Sequence, residues 1–115
     1  MVSLDAIRSG RYVLLADNLG RWDIYETMGY AIQKKGEPAV WIKGEGLTKR
    51  SPEPSTFHKN RNNNPTHSYF CWHSDVTKVM DFDETADIIV QLQDAEAAIN
   101  LARDRFAVMV RLLAD

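Results

Sequence analysis

From Asp83 to the end, the chain contains neither proline nor glycine. Within that stretch Ile88, Leu92, Ala95, Ile99, Ala102, Phe106, Met109 and Leu113 recur at steps that alternate between four and three residues. Such steps keep side chains on one stripe of an α-helix, and the pattern, sustained over nearly four seven-residue units, belongs to a helix that packs lengthwise on a neighbour. Asp83 is the expected N-cap, Glu84 and Asp87 place negative charge at the positive end of the helix dipole, and Arg111 sits near the other end. The spacing predicts one helix over about residues 84–114. The β-branched run Ile88-Ile89-Val90 would also suit a strand broken at Asp94, but the seven-residue phase continues unbroken through residue 94.

Length then becomes an argument. That helix would be about 46 Å long at ~1.5 Å per residue, whereas a compact chain of this size has a diameter of roughly 35 Å. Leu101, Val108, Val110 and Leu112 are apolar outside the stripe, more than one sheet face can cover. The expectation is a helix packed on its own sheet and also on a second copy along Leu92, Ile99, Phe106, Met109 and Leu113, with Ala95 and Ala102 permitting close approach of the axes.

The first half reads as strands. Arg11 to Ala16 is a short β-forming run closed by the turn composition Asp17-Asn18-Leu19-Gly20. Beyond Arg21, Trp22, Ile24, Met28, Tyr30 and Ile32 share one parity, with Asp23, Thr27 and Gln33 on the other, so a strand bent near Gly29 is expected. A helix over residues 27–35 ended by Gly36 is the competing reading. Ala39 to Lys43 forms another strand after Pro38. Ser68 to Ser74 alternates Phe70 and Trp72 with polar neighbours, and Val76 to Phe82 is expected to pair with it. Between them, residues 44–66 hold three of the four prolines and the run Lys59-Asn60-Arg61-Asn62-Asn63-Asn64. No regular element is expected there, because proline removes donors and asparagine competes for the backbone. Phe57 is the candidate to pin this long polar loop to the body. The fold class is therefore α+β: an antiparallel sheet of four to five strands in residues 11–82, interrupted by loop 44–66 and followed by the helix, in one domain over residues 1–115.

Composition narrows the function. With 44% hydrophobic and 26% charged residues, the chain is neither disordered nor fibrous in character. Cys71 is its one cysteine, so no intrachain disulfide can form. No apolar run approaches the ~18–20 residues of a membrane span, and residues 1–6 lack the pattern of a signal peptide. A cytoplasmic location is expected. The net charge of −2 hides an asymmetry: residues 33–61 carry seven basic side chains against three acidic, and residues 81–115 carry eight acidic against three basic.

The densest group of reactive side chains runs from His67 to Asp75. On a single strand His67, Tyr69, Cys71, His73 and Asp75 would share one face, with Phe70 and Trp72 turned to the core. That face is the expected ligand or partner surface, chiefly His67, Tyr69, Cys71 and His73. Three chemistries could use it. Cys71, His73 and Asp75 are the candidates for nucleophilic or acid–base catalysis. His58, His67, Cys71 and His73 are the candidates for a metal, although their spacing fits no zinc pattern. No phosphate-cradling glycine loop, Walker or HExxH motif accompanies them, so no cofactor is implied and enzymatic activity is not favoured. The basic loop residues Lys49, Arg50, Lys59 and Arg61, with nearby aromatic rings, suit contact with nucleic acid. The favoured reading is a small interaction protein whose partners are a second copy of itself and an unidentified protein. A small enzyme or ligand-binding domain is the first alternative, and nucleic-acid binding through residues 49–61 the second.

Overall fold

The computed structural model describes residues 2–8, 11–32, 36–61 and 67–114. They fall into two compact units, residues 1–82 and 83–115. The first is a six-stranded antiparallel sheet: β1 (Tyr12–Ala16), β2 (Trp22–Ala31), β3 (Ala39–Ile42), β4 (His58–Lys59), β5 (Tyr69–Trp72) and β6 (Val76–Met80), in the order β4-β5-β3-β2-β1-β6. The second is one helix, α1 (Phe82–Leu113), so the α+β class holds, with one strand more than the upper expectation.

β2 carries the architecture. Its first half, Trp22 to Glu26, pairs with β1, and its second half, Thr27 to Ala31, pairs with β3. The register slips between Thr27 and Tyr30, where Gly29 takes a φ of +98° that a side chain would resist. The strand bends there, as the alternation suggests, and stays a strand to Ala31; residues 33–35 of the competing helix lie outside the described residues.

The connection between β5 and β6 fixes the shape of the sheet. The two strands are separated by β3, β2 and β1, which in a flat sheet at ~4.8 Å per strand would hold them about 19 Å apart. They are joined by a single 3-10 turn, His73–Asp75, whose four Cα steps span at most about 15 Å. The sheet must curl. β6 consequently pairs with β1 at the far edge, not with β5 as expected.

The curl decides which residues lie inside. Its concave side gathers Ile7, Val13, Leu15, Tyr25, Val40, Ile42, Cys71 and Val76, with Val2, Leu4, Phe57, Tyr69 and Val79 against them. A 3-10 turn at Leu4–Ala6, capped by the Ser3 hydroxyl, brings Ile7 to this core. Two expectations about sidedness are corrected. β2 is buried on both faces at its start, Trp22 and Ile24 on the expected parity and Asp23, Tyr25 and Thr27 on the other, with Tyr25 in the core cluster; past the bend, Tyr30 and Ile32 of the expected parity are exposed. In β5 Cys71 points inward and Phe70 and Trp72 do not.

α1 begins at Phe82, so Asp83 lies in its first turn with Glu84, and Arg111 lies in the last. Along the seam Ile88 and Leu92 are half-buried, and Ala95, Ile99, Ala102, Phe106, Met109 and Leu113 are exposed. No helix among the described residues is long and apolar enough to cross a membrane.

Candidate functional site

The site starts from β5. Its alternation puts Tyr69 and Cys71 on the core side and Phe70 and Trp72 on the convex side. Trp41 of β3 and His58 of β4 stand directly opposite Phe70, so three strands contribute one row of rings. Ring centroids are 6.0 Å apart for Trp41 and Phe70, 5.3 Å for His58 and Phe70, and 5.2 Å for Phe70 and Trp72. His67 extends the row edge-on to Trp41 at 4.9 Å. These are the separations at which aromatic pairs attract beyond their buried area.

β4 closes the site, and it lies inside the loop where no regular element is expected. Two carboxylates and a ring stack hold the loop in place. Asp23, buried on β2, accepts hydrogen bonds from the Thr48 amide and hydroxyl (3.0 and 2.9 Å) and the Arg50 amide (3.3 Å). Asp17 accepts from the amides of Leu19, Arg21 and Ser55 and from the Arg21 guanidinium at 2.6 Å. Burial pushes the Asp17 carboxyl up, but these hydrogen bonds outweigh it and hold the group well below the usual carboxylate range. Phe57 then stacks between Tyr25 and Tyr69 at 5.0 and 5.1 Å, the pinning role read from the sequence. Past it the chain runs as β4, and Asn60 ties the end of that strand to the approach to β5, its amide donating to Ser68 and its side chain to the His67 carbonyl.

The result is an open groove of about 710 Å³ lined by Phe57, His58, Lys59, Asn60, Arg61, Phe70 and Trp72. Aromatic faces, two cations and an amide converge there. The basic residues of the loop are thereby divided: Lys59 and Arg61 line the groove, whereas Lys49 approaches Glu45 at 3.9 Å and Arg50 lies over the Trp22 ring at 3.9 Å.

The face expected from His67 to Asp75 does not exist as one surface, because the strand ends at Trp72 and the chain turns. Cys71 is fully buried, and burial, helped by Asp75 and Glu37, pushes its thiol up to about 12. A protonated thiol in the core is not a nucleophile. His73 is buried, its ring Nε2 donating to the Val2 carbonyl and its amide donating to the Pro38 carbonyl, so it pegs the N-terminal segment to the start of β3. Ser74 donates from its amide and hydroxyl to Glu37, which holds that carboxyl below its ordinary value. Among the described residues no three His, Cys, Asp or Glu side chains are grouped to hold a metal ion; His58 and His67 are packed against rings and Cys71 is in the core.

Phe70 and Trp72, expected in the core, and His58, expected only as a metal ligand, instead form one row of rings on the opposite face. Small Val40 and Cys71 between large Trp41, Phe70 and Trp72 are a local hint of this sidedness, but Ile42 and Tyr69 on the same inward parity blur it. No protein-family model, curated protein or solved structure matches this chain.

Proposed function

We propose that the chain is a non-enzymatic, cytoplasmic interaction protein that acts as a homodimer and recognises a further protein. The observation that carries this reading is the uncovered seam of α1, on which Ile99, Phe106, Met109 and Leu113 are 52, 72, 53 and 78% exposed. Burying one such side chain is worth about 1.5–3 kcal/mol, and association costs roughly 4–15 kcal/mol, so several must be covered together. A continuous seam on a second copy meets that condition. The test is sedimentation velocity over a concentration series. Wild type is expected to be a dimer, and Phe106→Asp a monomer whose sheet unfolds as in wild type. A wild-type mass that stays monomeric at every concentration overturns the reading.

A second reading is favoured by one observation: Lys59 and Arg61 line the same groove as Phe70 and Trp72. Rings that stack on bases beside cations that meet phosphates are what single-stranded nucleic acid requires, with each stacked base worth about 1–3 kcal/mol. This reading expects oligonucleotide affinity that falls steeply with salt. A Lys59→Ala/Arg61→Ala double variant should lose that affinity, and a Lys49→Ala/Arg50→Ala double variant should keep most of it. A flat salt response removes the reading.

A further inference from the structure

The seam of α1 is uneven in size, and the unevenness has an order. One column holds Leu92, Ile99, Phe106 and Leu113, and the other holds Ile88, Ala95, Ala102 and Met109. If two copies pair in parallel and in register, every layer faces itself. Ala95 and Ala102 then meet their own counterparts, and the layer beside Ala102 places Phe106 against Phe106. Protein interiors pack to crystal-like density, and such a stack would alternate voids with bulk.

Run antiparallel, the two columns face each other. With a two-fold axis between Asn100 and Leu101, Ala95 of one copy meets Phe106 of the other, and Ile99 meets Ala102. The flanking layers become Leu92 with Met109 and Ile88 with Leu113. Every alanine meets a large side chain, as interdigitating layers require, and two-fold symmetry repeats each contact. The four central residues, Ala95, Ile99, Ala102 and Phe106, are all exposed on α1.

The positions beside the seam agree. The same axis brings Glu96 next to Arg103 of the other copy, twice by symmetry, and Ile89 next to Val110. In the parallel arrangement Glu96 would meet Gln91 and Arg103 would meet Ala98, with no opposite charges in contact. Flanking charges of this kind set orientation in paired helices.

We infer that α1 pairs with α1 of a second copy in the antiparallel sense, about an axis between Asn100 and Leu101. The inference rests on the self-association proposed above and adds its orientation and register. The two Phe82 ends then leave the pair in opposite directions, about 55 Å apart along the axis at 1.5 Å per residue.

The test places a nitroxide on the full-length chain at Asn100→Cys or Ala114→Cys, two positions on one stripe of the helix outside the seam. Buried Cys71 is left in place, with wild type as the labelling control. In the antiparallel pair the two labels are offset along the axis by about 2 Å at residue 100 and about 40 Å at residue 114. The dipolar distance at residue 114 is therefore expected to exceed that at residue 100 by 20 Å or more. Equal distances in a confirmed dimer would overturn the antiparallel arrangement and leave self-association standing. A monomeric mass with no dipolar coupling would overturn both.

Discussion

The carboxylate of Asp23 occupies the space that a side chain on Gly46 would need: a Cβ there would lie 2.1 Å from Asp23 Oδ2. The carboxylate cannot readily step aside, because Oδ1 also accepts from the Ile24 amide at 2.7 Å and from both donors of Thr48. Gly46→Ala is therefore expected to cost about 1–3 kcal/mol, the range of overpacked sites. Asp23→Ala orphans the same donors and is expected to cost about 3 kcal/mol or more. Urea unfolding checks both, and an unchanged midpoint for Gly46→Ala would show that the loop can be built without this contact.

Tyr25 presents the opposite case. Its ring is fully buried and stacked on Phe57, but its hydroxyl has no hydrogen-bond partner among the described residues. Removing an orphaned buried hydroxyl while keeping the ring should help, so Tyr25→Phe is expected to stabilise the fold by about 1 kcal/mol. Burial, with Asp23 and Glu53 adding negative charge, raises the phenol above its ordinary value. The folded state thus keeps a proton that the unfolded state loses above about pH 10, and stability must fall as pH rises through that region. The Phe variant should lack this tyrosine's share of the alkaline decline. Equal or lower stability at pH 7 would reveal a partner for the hydroxyl.

These two residues also show what a sequence can and cannot carry. Strand identity is readable in Tyr12–Ala16, Trp22–Ala31, Ala39–Ile42, Tyr69–Trp72 and Val76–Met80 because side-chain alternation is local, and the helix is readable because its steps of four and three persist over 26 residues, from Ile88 to Leu113. Sidedness was not readable. Hydrophobicity alone sends Phe70 and Trp72 inward, but the core side already holds the Tyr25–Phe57–Tyr69 stack beside Val40 and Cys71, and Phe70 and Trp72 pack with Trp41 on the other face. Curvature arises from the three-residue link between β5 and β6, a property of topology that no single segment contains. The loop was misread for a related reason. Asp23 finds its partners 25 and 27 residues further on, so the carboxylate that orders residues 46–50 looks like an ordinary polar strand position.

Acid should loosen this loop first. Asp17 and Glu37 are both held below their ordinary values, Asp17 by hydrogen bonds that overcome the effect of burial and Glu37 by Ser74. A carboxyl depressed in the folded state contributes stability above its unfolded pKa, about 3.9 for Asp and 4.3 for Glu. That contribution is lost as pH falls below those values toward the folded ones. Unfolding curves at pH 7, 4 and 3 should show stability starting to fall near pH 4.5. Asp17→Asn should start lower at pH 7 and decline less steeply, because the neutral amide has no proton to gain. A decline as steep as wild type would remove Asp17 from the acid response.

Cys71 supplies the sharpest separation between a reactive and a packing role. It sits opposite Val40 in the β3–β5 ladder, fully buried, with its thiol pushed up to about 12. Thiolate is the reactive species, so the folded protein should not react with a thiol reagent at pH 8, and labelling should proceed only at the rate of unfolding. The raised thiol also means stability lost as pH climbs above about 8.5, a loss that Cys71→Ala should not show. That variant should cost about 1–2 kcal/mol for the contacts it removes and leave dimerisation and any groove ligand untouched. Rapid stoichiometric labelling of the folded chain would instead mean that β5 opens to solvent, and would return Cys71 to the candidates for chemistry.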